Sequence, residues 1–171
     1  MDKPIEERVL GEDAGEIVIA SLQENCAAVD TLLGQARRKL LLFTRDLEPR
    51  VFDREEVYQA IRELATYSRY SEVRMLLFDS DRIVKDGHRL VDLARRLSSY
   101  IQIRLVPDDY KEIASSFMVV DDKGFLYRSL ASQYEGVVDF SEPNRCRELT
   151  KLFGDVWEHS APDPNLRRLH I

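Results

Sequence analysis

Apolar residues along this chain change their spacing several times, and each change marks an element. Leu22, Cys26, Val29, Leu33 and Ala36 recur at helical spacing on one face. Ser21 followed by Glu24 has capping-box spacing, so the spacing predicts a helix start there. Gly34 weakens its last turn. The pattern then becomes a nearly continuous apolar run, Lys39–Thr44, which reads as a strand buried on both faces. Residues 47–52, with Pro49, read as a connecting loop. Asp53 and Glu56 repeat the capping spacing, and Val57, Ile61 and Leu64 predict an amphipathic helix to about Tyr67. Residues 73–78 are the next buried strand, ended by Asp79-Ser80-Asp81. Asp86 is placed to cap a helix that turns Leu90, Leu93, Ala94 and Leu97 inward. Ile101, Ile103 and Leu105 alternate with Gln102 and Arg104, the mark of a half-buried strand.

Residues 117–120 and 125–128 read as a hairpin joined by Asp121-Asp122-Lys123-Gly124, which supplies turn chemistry. A strand is expected over residues 136–140. A helix follows from Ser141, with Pro143 in its first turn and Leu149, Leu152, Phe153, Val156 and Trp157 as its apolar stripe. Residues 16–20 fit a short edge strand or the first turn of a helix. Helices alternating with strands imply a parallel-rich sheet covered on both faces, and the hairpin makes it mixed. The expected fold class is α/β, a three-layer α/β/α arrangement with a mixed sheet. Residues 1–15 are expected as a flexible acidic arm, 16–160 as the domain, and 161–171 as a non-helical tail. Leu166, Leu169 and Ile171 of that tail could dock on the body.

Composition narrows the function. The 171 residues suit one domain, with 44% hydrophobic and 33% charged residues. A net charge of −6 argues against a generally basic nucleic-acid binder and leaves a local basic patch open. No run is long and apolar enough to span a membrane, and the N-terminus has no signal-peptide core. Two cysteines and three histidines make no zinc or disulfide framework, so a cytoplasmic protein without metal or cofactor is expected.

Several residues could carry chemistry. Asp46 and Asp79 follow buried strands, at the edge where open α/β sheets bind ligands. They could act as acids or bases, or merely cap helices and pair with arginines. His88 and Arg89 open a predicted helix and suit an anion there; equally they could be structural. Arg104, Arg128 and Ser129 could share one cleft that attracts phosphate or carboxylate. The clusters Arg37-Arg38-Lys39 and Arg95-Arg96 read as solvated helix ends. Trp157 and Phe153 read as core. Tyr67 and Tyr70 are indistinguishable from loop tyrosines.

The stretch from Ala114 through Phe117-Met118-Val119-Val120-Asp121 to Arg128-Ser129-Leu130-Ala131 resembles the strand–turn–strand of the phospholipase D superfamily. That motif runs His-x-Lys-x4-Asp-x6-Gly-Ser-x-Asn. Asp121 takes the aspartate position and Ser129 the serine. The histidine, lysine and asparagine positions hold Ala114, Ser116 and Ala131. Further stretches are Ala36-Arg37-Arg38-Lys39-Leu40, Arg45-Asp46-Leu47-Glu48-Pro49, Gly87-His88-Arg89-Leu90, Leu97-Ser98-Ser99 and Trp157-Glu158-His159-Ser160. They are similar to an uncharacterised bacterial phospholipase D-like domain often joined to acetyltransferase domains. About 35 residues precede the similarity, too few for such a domain.

The resemblance implies one half of a phospholipase D fold and pairing into a homodimer. In that family a histidine attacks phosphorus and lysines hold the phosphate oxygens. Alanine and serine at those positions imply a catalytically degenerate domain that binds a protein partner or an anionic ligand. The alternatives are a phosphodiesterase or nuclease with a rearranged site using His88 or His159, with Asp79 and Asp121 as further candidates, and a nucleic-acid-binding regulator. A cleft that gathers His88, Asp79 and arginines favours the enzyme; a cleft without histidine favours the binding module.

Overall fold

Alternating burial on both faces of the central strands organises the molecule. The computed structural model describes residues 3–167. In β2 (Lys39–Thr44), Leu40 and Leu42 face one apolar cluster while Leu41 and Phe43 face another, so the strand must lie inside a sheet covered on both sides. Its parallel neighbour is β3 (Glu72–Leu77), followed by β4 (Ile101–Leu105), also parallel. On the other flank runs β5 (Ser116–Val120), antiparallel to β2, then β6 (Gly124–Arg128), β7 (Gly136–Asp139) and the short β1 (Ile17–Ile19). The strand order is β1-β7-β6-β5-β2-β3-β4. The expected mixed sheet and α/β class are thus the observed ones.

Helices α1 (Leu22–Gly34), α3 (Glu55–Tyr67) and α5 (Arg89–Arg96) cover one face. The long α6 (Pro143–Glu158) covers β2, β5 and β6 on the other. Cys146, Leu149, Phe153, Val156 and Trp157 of α6 meet Phe43, Phe117 and Phe125 of the sheet. Phe43 and Phe117 are cross-strand partners whose rings stack 4.9 Å apart. Each such fully buried side chain contributes roughly 1.5–3 kcal/mol of transfer free energy.

The capping box predicted at Ser21 and Glu24 is formed, with both reciprocal bonds present. Elsewhere tertiary contacts override local spacing. Residues 49–52, expected as loop, form one helical turn, α2 (Pro49–Phe52), because Pro49 sits at its start and Val51 and Phe52 find the core. Asp53 caps no helix of its own; its carboxylate accepts the Arg89 N–H, and α3 begins uncapped. A helix α4 (Asp81–Asp86) was not legible because only Ile83 is buried in it. Asp86 therefore ends a helix, and α5 is capped by His88.

The N-terminal stretch, read from sequence as a flexible arm, is packed on the body. Leu10 donates to the Gln35 side chain, which donates back to the Arg8 carbonyl, and Gly11 donates to the Phe140 carbonyl. Leu10 closes over Gly124, where a β-carbon would come within 2.7 Å of its methyl group. At the other terminus, α7 (Pro164–Arg167) is helical where a non-helical tail was expected. Leu166 is buried, Ala161 bridges to Leu105, and Ser80 donates to Asp163 at 2.5 Å. Leu169 and Ile171 lie outside the described residues. No described helix is long and apolar enough to cross a membrane.

Candidate functional site

The carboxyl ends of β2 and β3 and the ends of the β5–β6 hairpin converge on a cleft of about 820 Å³. Arg45, Arg50, Arg82 and Arg128 line it, against the carboxylates of Asp46, Glu48 and Asp86. Ala114 and Ala131 lie in its wall, and none of its lining residues is a histidine.

Topology explains the gathering. Arg45 and Asp46 directly follow the buried β2, so they emerge at the sheet's edge. Arg128 ends β6 opposite Ser116, which begins β5. The Ala131 N–H donates to the Ala114 carbonyl at 2.8 Å, closing the cleft wall through backbone.

Arg128 is the best-held cation. Its side chain is only 5% exposed. Its Nε donates to the Gln133 carbonyl and Nη2 to the Ala131 carbonyl, each at 2.7 Å. Nη1 donates to both carboxylate oxygens of Glu48 at 2.8 Å. Burial pushes the Glu48 carboxyl above the usual carboxylate range even with this guanidinium beside it. Glu48 sits after Leu47, whose φ of 59° lies in the left-handed region.

The other arginines are looser. Arg45 is exposed, with its guanidinium 4.5 Å from the Phe78 ring centroid. Arg82 is 3.5 Å from Asp46, at an exposed side chain. Such a contact contributes little to stability and leaves the guanidinium free to exchange partners. Thr44, the last residue of β2, is fully buried and its hydroxyl oxygen has no hydrogen-bond partner among the described residues.

The residues picked from sequence are not one cluster. Arg104 lies on β4, four strand positions from Arg128 on β6, a separation of about 19 Å at normal strand spacing. It stacks over Trp157 and donates to the Trp157 carbonyl. A shared cleft of Arg104, Arg128 and Ser129 is therefore not formed. Ser129 is exposed just past β6 and does not line the cleft.

His88 is buried. Its Nε2 is 2.8 Å from the Leu47 carbonyl and its Nδ1 accepts the Leu90 N–H. One nitrogen donates and the other accepts, so the ring is the neutral tautomer protonated on Nε2. Burial holds its pKa below the ordinary imidazole value. Arg89 is taken by Asp53 through side chain and carbonyl. The pair thus serves as a helix cap and a clamp on Asp53, outside the residues that line the cleft. Asp79 is exposed and accepts the Asp81 N–H. His159 lies on the surface, with Nδ1 near the Asp155 carbonyl and the Tyr110 hydroxyl.

Asp121 sits at the other end of β5, about 17 Å along the strand from Ser116. Its carboxylate accepts the backbone N–H groups of Arg37, Arg38 and Lys39 at 2.8–2.9 Å. Ser116 is buried and donates to the Phe43 carbonyl. Burial pushes both cysteine thiols up, Cys146 to about 12, which suppresses the thiolate.

Sequence reasoning missed Arg45, Glu48, Arg50 and Arg82 as cleft residues. The available signal was the charged run Arg45-Asp46-Leu47-Glu48 directly after a buried strand.

The fold is similar to that of solved phospholipase D family structures. By structure the chain is similar to NucT from Helicobacter pylori, with 11% identity and a TM-score of 0.63 over 87% of this chain and 99% of that one. It is similar to Nuc, a phospholipase D family member from Salmonella typhimurium, at 12% identity and TM-score 0.61 over 88% and 99%. TrmBL2, an archaeal chromatin protein with a novel mode of DNA binding, matches at 13% identity and TM-score 0.62. That match covers 86% of this chain, which spans 54% of the length of TrmBL2. By sequence, residues 21–169 match the domain of unknown function DUF7931, and the chain belongs to that family. No curated protein matches it.

Proposed function

We propose that this chain is a catalytically degenerate phospholipase D-like domain that binds a phosphate-bearing ligand at the carboxyl-edge cleft without cleaving it. The carrying observation is the pairing of arginines on that cleft with Ala114, Ser116 and Ala131 at the resemblance's histidine, lysine and asparagine positions. Arginines hold tetrahedral oxyanions through several N–H groups at once. A methyl group where the nucleophile would stand forms no phospho-enzyme. Neither His88, locked by Leu47 and Leu90, nor the surface His159 lines the cleft.

The test is titration calorimetry with inorganic phosphate, alongside an assay for hydrolysis of bis(p-nitrophenyl) phosphate. Saturable phosphate binding that weakens with added salt, with hydrolysis at the buffer rate, is expected. Hydrolysis above buffer that His88→Ala or His159→Ala abolishes would replace this reading with the rearranged enzyme.

A further inference from the structure

Arg128 is a preorganised anion holder with its one useful edge already taken. Two backbone carbonyls fix Nε and Nη2, so the guanidinium keeps its orientation whatever happens at Nη1. The group at Nη1 is a carboxylate of the same chain, and both oxygens of Glu48 are engaged. That carboxylate is carried on a connection with Leu47 in the left-handed region, and its seat is 15% exposed, open toward the cleft.

We infer that the Arg128 edge is the inner phosphate subsite of this cleft, and that Glu48 occupies it as a built-in competitor which an incoming dianionic phosphate displaces. The inference rests on the cleft reading above and adds its selectivity. Two features favour a dianion over a singly charged group. The newcomer must outbid a carboxylate already in charge-assisted contact, and a second negative charge is the direct way to do so. The expelled Glu48 carboxylate then regains solvent, which its burial now denies it. Arg45 and Arg82, on exposed side chains, are free to meet the outer oxygens. A phosphodiester carries one charge and gains no such advantage. Terminal phosphate groups are therefore the class selected, and the interior linkages of a nucleic acid are disfavoured.

The test titrates wild type, Glu48→Gln and Glu48→Gln/Arg128→Gln with inorganic phosphate and with dimethyl phosphate at pH 7.5. Wild type is expected to prefer phosphate over dimethyl phosphate at least tenfold. Glu48→Gln is expected to bind phosphate at least tenfold tighter than wild type, and the double variant to lose that gain. Phosphate binding by wild type with no gain in Glu48→Gln, or equal affinity for the two probes, overturns the inference and leaves the cleft reading standing. No binding of phosphate to wild type or Glu48→Gln overturns both. Because changes at a buried pair can unfold the chain, the Arg128 Nε–H resonance of wild type is followed by NMR during the phosphate titration. It is expected to shift with the binding isotherm, and a resonance that stays put while phosphate binds overturns the inference independently.

Discussion

At the turn end of the β5–β6 hairpin, Asp121 spends its carboxylate on three backbone N–H groups, and Asp122 pairs with Lys39. At the open end of the same hairpin, Arg128 faces a cleft with three further arginines and only three carboxylates. One end is electrostatically closed on itself, and the other keeps cationic capacity in reserve. The contrast separates two roles that the motif resemblance places side by side. Its aspartate position falls at the self-satisfied end. Its histidine and lysine positions fall at the end that faces the cleft. The Asp121 carboxylate is engaged by backbone N–H groups, whereas Ala114 lies in the cleft wall.

The largest effect is expected at the open end. Arg128→Met leaves Glu48 buried without its cation and frees two carbonyls, a loss of about 3–5 kcal/mol in urea unfolding. A variant as stable as wild type would show that the ion pair is not structural. At the closed end, Asp121→Ala removes the common acceptor of three N–H groups and should cost about 2–3 kcal/mol. Phosphate affinity should stay within twofold, and a large loss of binding there would erase the contrast.

His88 provides a smaller, pH-dependent effect. Its folded pKa lies below the ordinary value, so near and below pH 6.5 the unfolded chain takes up a proton that the folded chain does not. Stability should fall as pH drops through this window and level off once the folded imidazole is protonated. His88→Asn, which retains a capping side chain, should lose about 1 kcal/mol at pH 7.5 and remove the histidine slope. Chemical denaturation between pH 5 and 8 reads both. The smallest stability change is expected for Arg45→Ala, within about 0.5 kcal/mol of wild type. Its readout is binding, with phosphate affinity lowered about three- to tenfold, the range of one surface charge contact.

How much of this was legible in the sequence depends on the range of the forces involved. The apolar spacing of Val57, Ile61 and Leu64, and the two-sided run of Lys39–Thr44, report local periodicity, and both elements form as expected. The Ser21 capping box is legible for the same reason. Asp53 and Asp86 carry the right residue type in the right local spacing, yet Asp53 is drawn to Arg89 and Asp86 closes α4. The site is less legible still. Arg128 was selected, but its partner Glu48 is 80 positions away in sequence. Arg104 was grouped with it although strand order sets them on different parts of the sheet. Local spacing carries no information about which strands lie between two residues.

The bridge between Leu105 and Ala161 has a consequence for colloidal behaviour. β4 is the outer strand on its flank, and the C-terminal segment lies across its carboxyl end, fastened by Asp163 and Leu166. A chain cut after residue 160 would leave Leu105, at the end of an edge strand, without its outer partner. Unshielded strand edges recruit other strands. Such a shortened chain should scatter light and bind amyloid dyes at concentrations where the full chain stays clear, which makes the segment from Ala161 to Leu166 a guard against self-association.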